Sequence, residues 1–139
     1  MASVNKATTH WEGSLFGGSG TTTLVTSEVA SFPVKWAARA EAGKGTTNPE
    51  ELIAAAHATC YSMALSNALA KDGTPPASLD TTAEVTFVPG TGITGIKLTL
   101  AADVPGLDRE GLVEKANWAK DNCPVSQALK AVPMELEVL

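Results

Sequence analysis

Apolar and polar positions alternate near both ends of the chain and pass to helical spacing between and after them. Ile96, Leu98 and Leu100 are separated by Lys97 and Thr99, and Met134, Leu136 and Val138 by Glu135 and Glu137. That period of two is the mark of a half-buried strand. Thr82 to Val88 places Val85 and Phe87 in the same way, and Pro89-Gly90-Thr91-Gly92 reads as the hairpin loop that follows it. The N-terminal stretch is rich in Thr, Val, Ser and Gly and predicts strands near Lys6 to Ser14 and Thr21 to Thr26, with Gly17-Gly18-Ser19-Gly20 as the turn between them. A third strand is predicted around Ala30 to Ala37, where Pro33 removes a ladder donor and therefore belongs at an edge or a bulge.

The helical signal is strongest after Asn48, an N-cap residue followed by Pro49 at the first helical position and Glu51 three residues beyond the cap. This helix is predicted to run from Pro49 to Lys71, where Gly73-Thr74-Pro75-Pro76 stops it. Leu52 to Ala70 carries no formal charge and approaches membrane-spanning length. His57, Thr59, Ser62, Ser66 and Asn67 interrupt it, however, and Ala adds little apolar area. The expectation is a helix buried on all sides within a domain, with no membrane partner.

A second helix begins near Asp108, with Leu112, Val113, Ala116 and Ala119 on one stripe, and ends at Asp121-Asn122. A short third helix, Pro124 to Lys130, precedes the last strand. The order βββ-α-ββ-αα-β predicts an α+β fold, with antiparallel sheets wrapped around central helices. A helix apolar on all sides needs more cover than one small sheet supplies, and dimerisation is the simplest remedy.

With 139 residues, no repeat and no linker, residues 1–139 are expected to form one domain with a core of its own. The formal net charge of −5 and the presence of only Arg39 and Arg109 as arginines leave no basic stripe for a phosphate backbone, which excludes nucleic acid as a partner. The polar start, Met1-Ala2-Ser3-Val4-Asn5-Lys6, lacks the apolar stretch of a secretory signal, so the expected location is the cytoplasm.

Two cysteines, Cys60 and Cys123, stand far apart in sequence and outside any C-x-x-C pair. They read either as two small buried hydrophobes or as a redox pair joined by the fold, whose disulfide in a cytoplasmic protein would be transient and catalytic. Peroxide chemistry needs a thiolate, a group that orients the O–O bond, and a second thiol to resolve the sulfenic acid. Cys60 lies well inside the long helix and would need a nearby cation such as Arg39, whereas Cys123 precedes Pro124 at a helix start, where backbone N–H groups lower a thiol pKa. Either thiol could therefore attack first.

The run Asn48-Pro49-Glu50-Glu51-Leu52-Ile53-Ala54-Ala55-Ala56-His57-Ala58-Thr59-Cys60-Tyr61-Ser62-Met63-Ala64-Leu65 resembles the central helix of the OsmC/Ohr family, the osmotically inducible protein C and organic hydroperoxide resistance proteins. Asn122-Cys123-Pro124-Val125-Ser126-Gln127-Ala128-Leu129 resembles the family's second-cysteine motif, and His10-Trp11-Glu12-Gly13 the opening strand of the OsmC branch. The resemblance implies thiol-dependent reduction of organic hydroperoxides, in oxidative or osmotic stress defence, by an intertwined homodimer with two interfacial sites and no cofactor. It makes Cys60 the peroxidatic thiol, Cys123 the resolving thiol, Arg39 the arginine of the OsmC branch and Glu50 the acidic residue that holds it. The Ohr branch draws its arginine from further upstream, where this chain has none. The chain departs from the pattern at Ala40, where an aromatic is expected, and in a loop lengthened by Thr46-Thr47. The disulfide formed on turnover would be reduced by an external dithiol, such as a lipoyl group.

On one straight helix, Glu50 and Cys60 stand about 15 Å apart along the axis and on different faces. Glu50, with Arg39, is therefore expected to serve the cysteines of the other subunit, unless the helix breaks between them. Two rival readings remain. His10, His57 and the two cysteines could bind zinc, although His57 also reads as a packed or hydrogen-bonded helix residue, or as one that tunes Cys60 from the same face. Trp11, Trp36 and Trp118 could line a pocket for an apolar ligand, although tryptophans of this kind are expected to be core anchors.

Overall fold

In the computed structural model, which describes residues 1–41 and 45–139, the N-terminal alternation forms three strands, β1 (Ala7–Glu12), β2 (Ser19–Leu24) and β3 (Ser31–Val34). They pair antiparallel in that order, with His10 opposite Thr21 and Thr22 opposite Phe32. The turn lies earlier than expected, since Ser19 and Gly20 already belong to β2. Close approach explains these glycines: a Cβ on Gly18 would fall 2.4 Å from the carbonyl oxygens of Glu12 and Ser14, and one on Gly20 would fall 2.5 Å from that of His10. Pro33 sits on an edge strand, as expected, and its outward carbonyl accepts from the Thr47 N–H at 2.9 Å. Its missing donor therefore faces away from β2.

A short helix, α1 (Ala37–Ala40), was not expected, and it occupies the end of the third predicted strand. The long helix α2 (Pro49–Lys71) has the expected bounds and is unbroken. Its cap works as the sequence implies: Asn48 Oδ1 accepts from the Glu51 N–H at 2.8 Å. Asn48 Nδ2 also donates to the Ala38 carbonyl at 2.7 Å, which ties α1 to the start of α2.

The chain divides into two compact units, Met1–Leu52 and Ile53–Leu139. The second contains β4 (Ser78–Val88), β5 (Gly92–Asp103), α3 (Arg109–Asn122), α4 (Pro124–Ala128) and β6 (Met134–Val138), in a sheet of order β4-β5-β6. β4 and β5 form the expected antiparallel hairpin. β6 instead runs parallel to β5, with Leu98 opposite Leu136, so this sheet is mixed. The reason is the connection, because α3 and α4 carry the chain back across the sheet, which a tight turn cannot do. The core of this unit joins Tyr61, Leu65 and Leu69 of α2 to Leu98 and Leu100 of β5, Ala116 and Ala119 of α3, and Cys123. Asp108 caps α3 by accepting from the Gly111 N–H at 2.8 Å.

Two expectations about apolar residues are corrected. α2 is not buried on all sides: His57, Tyr61, Leu65 and Leu69 form its buried stripe, while Ala55, Ala56, Thr59, Met63 and Asn67 are exposed. The tryptophans are not core anchors, since Trp11 and Trp118 are exposed and Trp36 is half-buried. Among the described residues no helix is long and apolar enough to cross a membrane.

Candidate active site

Cys60 lies in the middle of α2, and Cys123 at the junction that ends α3 and begins α4. The junction follows from Pro124, which has no N–H to extend α3 but suits the first position of a new helix. The Cys123 N–H still closes the last turn of α3 on Ala119 at 2.9 Å, and its carbonyl opens α4 by accepting from Gln127 at 3.0 Å. Its side chain is fully buried, whereas Cys60 keeps partial exposure. Both are free thiols, and the Cys123 thiol and the backbone N–H of Val125 stand beside Cys60, close enough to act on its pKa. Burial and the Cys123 thiol push the Cys60 pKa up, and the Val125 N–H opposes them.

One turn before Cys60 on α2, the buried His57 places Nε2 2.7 Å from Ser126 Oγ on α4. Its other nitrogen, Nδ1, is buried without a hydrogen-bond partner, and burial lowers the ring's pKa. Tyr61 donates its hydroxyl to the Ala116 carbonyl at 3.1 Å, and burial, with Cys123 nearby, pushes its pKa far up. Both α2 neighbours of Cys60 are thus hydrogen-bonding anchors within the second unit. The His57–Ser126 link was missed from the sequence, although Ser126 stands three residues after Cys123 as His57 stands three before Cys60.

The other two expected residues meet in the first unit. Arg39, in the last turn of α1, directs Nε at 2.8 Å and Nη2 at 2.7 Å onto Oε1 of Glu50, in the first turn of α2. Glu50 is buried and its Oε2 has no hydrogen-bond partner, while the Arg39 guanidinium lies 5.5 Å from the centre of the Trp36 ring. Asn48 makes the meeting possible by holding α1 against the start of α2. Arg39 also borders an apolar groove of about 340 Å³ lined by Trp11, Leu15, Val34, Trp36 and Leu52. Two of the three tryptophans therefore line a groove, the alternative to a core role.

Cys60 is thus brought to Cys123, and Arg39 to Glu50. Among the described residues no three His, Cys, Asp or Glu side chains gather into a group that could hold a metal ion. These features define an α+β protein in which two free thiols are brought together between helices.

The family model described as "OsmC-like protein" matches residues 42–137. The chain is 46% identical over 137 residues to the Escherichia coli (strain K12) protein named peroxiredoxin OsmC, an alignment covering 94% of this chain and 93% of that one. It is 33% identical over 99 residues to the organic hydroperoxide resistance protein OhrB of Bacillus subtilis (strain 168), covering 69% of this chain and 72% of that one. A crystal structure of an organic hydroperoxide resistance protein OsmC from Legionella pneumophila superposes with a TM-score of 0.71 at 26% identity, over 99% of this chain and 98% of that one. The chain belongs to the OsmC/Ohr family.

Proposed function

We propose that this chain is a cysteine-dependent peroxidase that reduces organic hydroperoxides, and hydrogen peroxide as well, to alcohols and water. The observation that carries the reading is the adjacency of the Cys60 and Cys123 thiols, far apart in sequence yet side by side in the fold. The partly exposed Cys60 acts as the peroxidatic thiol and the buried Cys123 as the resolving thiol, since only the former is open to an incoming peroxide. The Cys60 thiolate attacks the distal peroxide oxygen and the O–O bond breaks; the alkoxide takes a proton and leaves as alcohol, and Cys60 is left as sulfenic acid. The Cys123 sulfur then attacks the Cys60 sulfur, its proton leaves with the hydroxyl as water, and a disulfide forms. An external dithiol, of which a lipoyl group is one kind, takes up that oxidation and restores both thiols.

The working form is an intertwined homodimer in which the whole chain acts as one domain, in the cytoplasm. Two observations support this assembly. β1 is exposed along its whole length, and Phe16 and Met63 are 79% and 68% exposed, apolar side chains that a second copy would cover. Within one chain, moreover, burial and Cys123 raise the Cys60 pKa, so the thiolate needs a positive charge from elsewhere. The partner subunit's Arg39, aimed by Glu50, supplies it and orients the peroxide. The groove beside Arg39 receives the organic tail.

The groove also suits a second reading, an apolar-ligand module with incidental cysteines. Turnover of cumene hydroperoxide with a dithiol reductant separates them. The peroxidase loses all turnover in Cys60→Ser, whereas a binding module shows none even in the wild type and keeps its ligand affinity when both cysteines are Ser.

A further inference from the structure

Cys60 and Cys123 are not the only residues that join α2 to α4. Three residues before Cys60, His57 Nε2 meets Ser126 Oγ at 2.7 Å, and Ser126 stands three residues after Cys123. Positions three apart on a helix share a face, so the two helices are linked by two successive rungs, one between thiols and one between imidazole and hydroxyl. Val125, whose N–H reaches Cys60, lies between the two rungs on α4. We propose that His57 and Ser126 are positioning residues for the resolving step: their hydrogen bond holds α4 in the register that presents Cys123 to the Cys60 sulfenic acid. This rests on the peroxidase reading above.

The details of the rung fit a positioning role. Both side chains are buried, His57 at 0% and Ser126 at 4% exposure, so the bond between them is shielded from bulk water. His57 Nδ1 has no partner, and a buried unpaired N–H is penalised more than an unpaired lone pair. The proton therefore sits on Nε2, which donates to Ser126 Oγ. Burial also lowers the ring's pKa, so the imidazole stays neutral and acts through geometry rather than charge. α4 spans only Pro124–Ala128 and its backbone alone fixes it weakly. Without the rung, Cys123 would sample positions away from Cys60, and a sulfenic acid waiting for its partner would meet a second peroxide and become sulfinic acid.

Rapid mixing of reduced protein with cumene hydroperoxide, followed by quenching and intact-mass analysis, separates the two steps. In Ser126→Ala the disulfide is expected to form about tenfold more slowly and the sulfenic acid to be slowed far less, since only the Val125 N–H on α4 bears on the first step, with sulfinic acid accumulating under excess peroxide. Ser126→Thr, which keeps the hydroxyl, is expected to restore disulfide closure. Closure at the wild-type rate in Ser126→Ala would overturn the proposal, and so would an equal slowing of both steps, which marks a merely structural residue. If Ser126→Ala does not fold, His57→Gln and His57→Leu decide the matter. Gln keeps a donor for Ser126 and should close the disulfide faster than Leu, and equal rates would overturn the proposal. A wild type that forms neither sulfenic acid nor disulfide defeats the peroxidase reading instead, a distinct outcome.

Discussion

Replacing Glu50 by Gln removes one charge from the first turn of α2 and leaves the side chain's length unchanged. The Glu50 side chain is 7% exposed, and two nitrogens of Arg39, at 2.8 and 2.7 Å, converge on its Oε1. Breaking a fully buried ion pair costs about 3–5 kcal/mol. The Arg39 side chain is 29% exposed, so solvent compensates part of that loss, and about 1–3 kcal/mol is expected here. The carboxylate also faces the positive end of the α2 dipole, worth a further ~0.3–1 kcal/mol. In urea unfolding of the reduced protein at one fixed concentration, with a slope of about 1–3 kcal/mol per molar, the midpoint should fall by roughly 1 M. A cycle with Arg39→Met isolates the pair: the double variant should be less destabilised than the sum of the single variants by about 1 kcal/mol or more. Additivity within about 0.3–0.5 kcal/mol would show that the two side chains do not act together and would refute the reasoning.

Two further predictions follow from the same geometry. Burial and the Cys123 thiol raise the Cys60 pKa, so the folded chain holds this proton more tightly than the unfolded chain. The resulting stability is complete below the ordinary thiol pKa of about 8.5 and is lost as pH rises through the raised folded value. In the Arg39→Met background, which takes away the compensating charge, reduced protein should therefore lose Tm relative to the same background carrying Cys60→Ser above about pH 8.5, and parallel Tm curves would contradict this. Asn48→Ala removes both the cap bond to Glu51 and the tie to Ala38. It should lower stability by about 1–2 kcal/mol in chemical unfolding, and should also reduce turnover, because the tie sets α1 and hence Arg39; unchanged turnover would contradict that role.

What could be read from the sequence was local. The bounds of α2 follow from Asn48, Pro49 and the stop beyond Lys71, and β6 from the alternation of Met134, Leu136 and Val138 with glutamates. α1 escaped notice because Ala37–Ala40 is too short to show a period and adjoins residues that read as strand. The parallel pairing of β6 depends on which sheet edge the chain reaches after α3 and α4, and no single strand's pattern contains that. The uncharged run of α2 looked buried all round because Ala is compatible with core and surface alike, yet Ala55 and Ala56 are exposed. The thiol pair was legible only as two motifs that resembled one family. Its support from His57 and Ser126 was not, because it joins positions 69 residues apart.

The oxidation state that one peroxide produces tests the dithiol mechanism most directly. Intact mass of reduced protein should be recorded before and after one equivalent of cumene hydroperoxide, beside Cys60→Ser and Cys123→Ser. The wild type is expected to lose two hydrogens, Cys123→Ser to gain one oxygen and Cys60→Ser to stay unchanged. A wild type that stays reduced, or a Cys60→Ser variant that is oxidised at Cys123 as fast as the wild type, would contradict that mechanism.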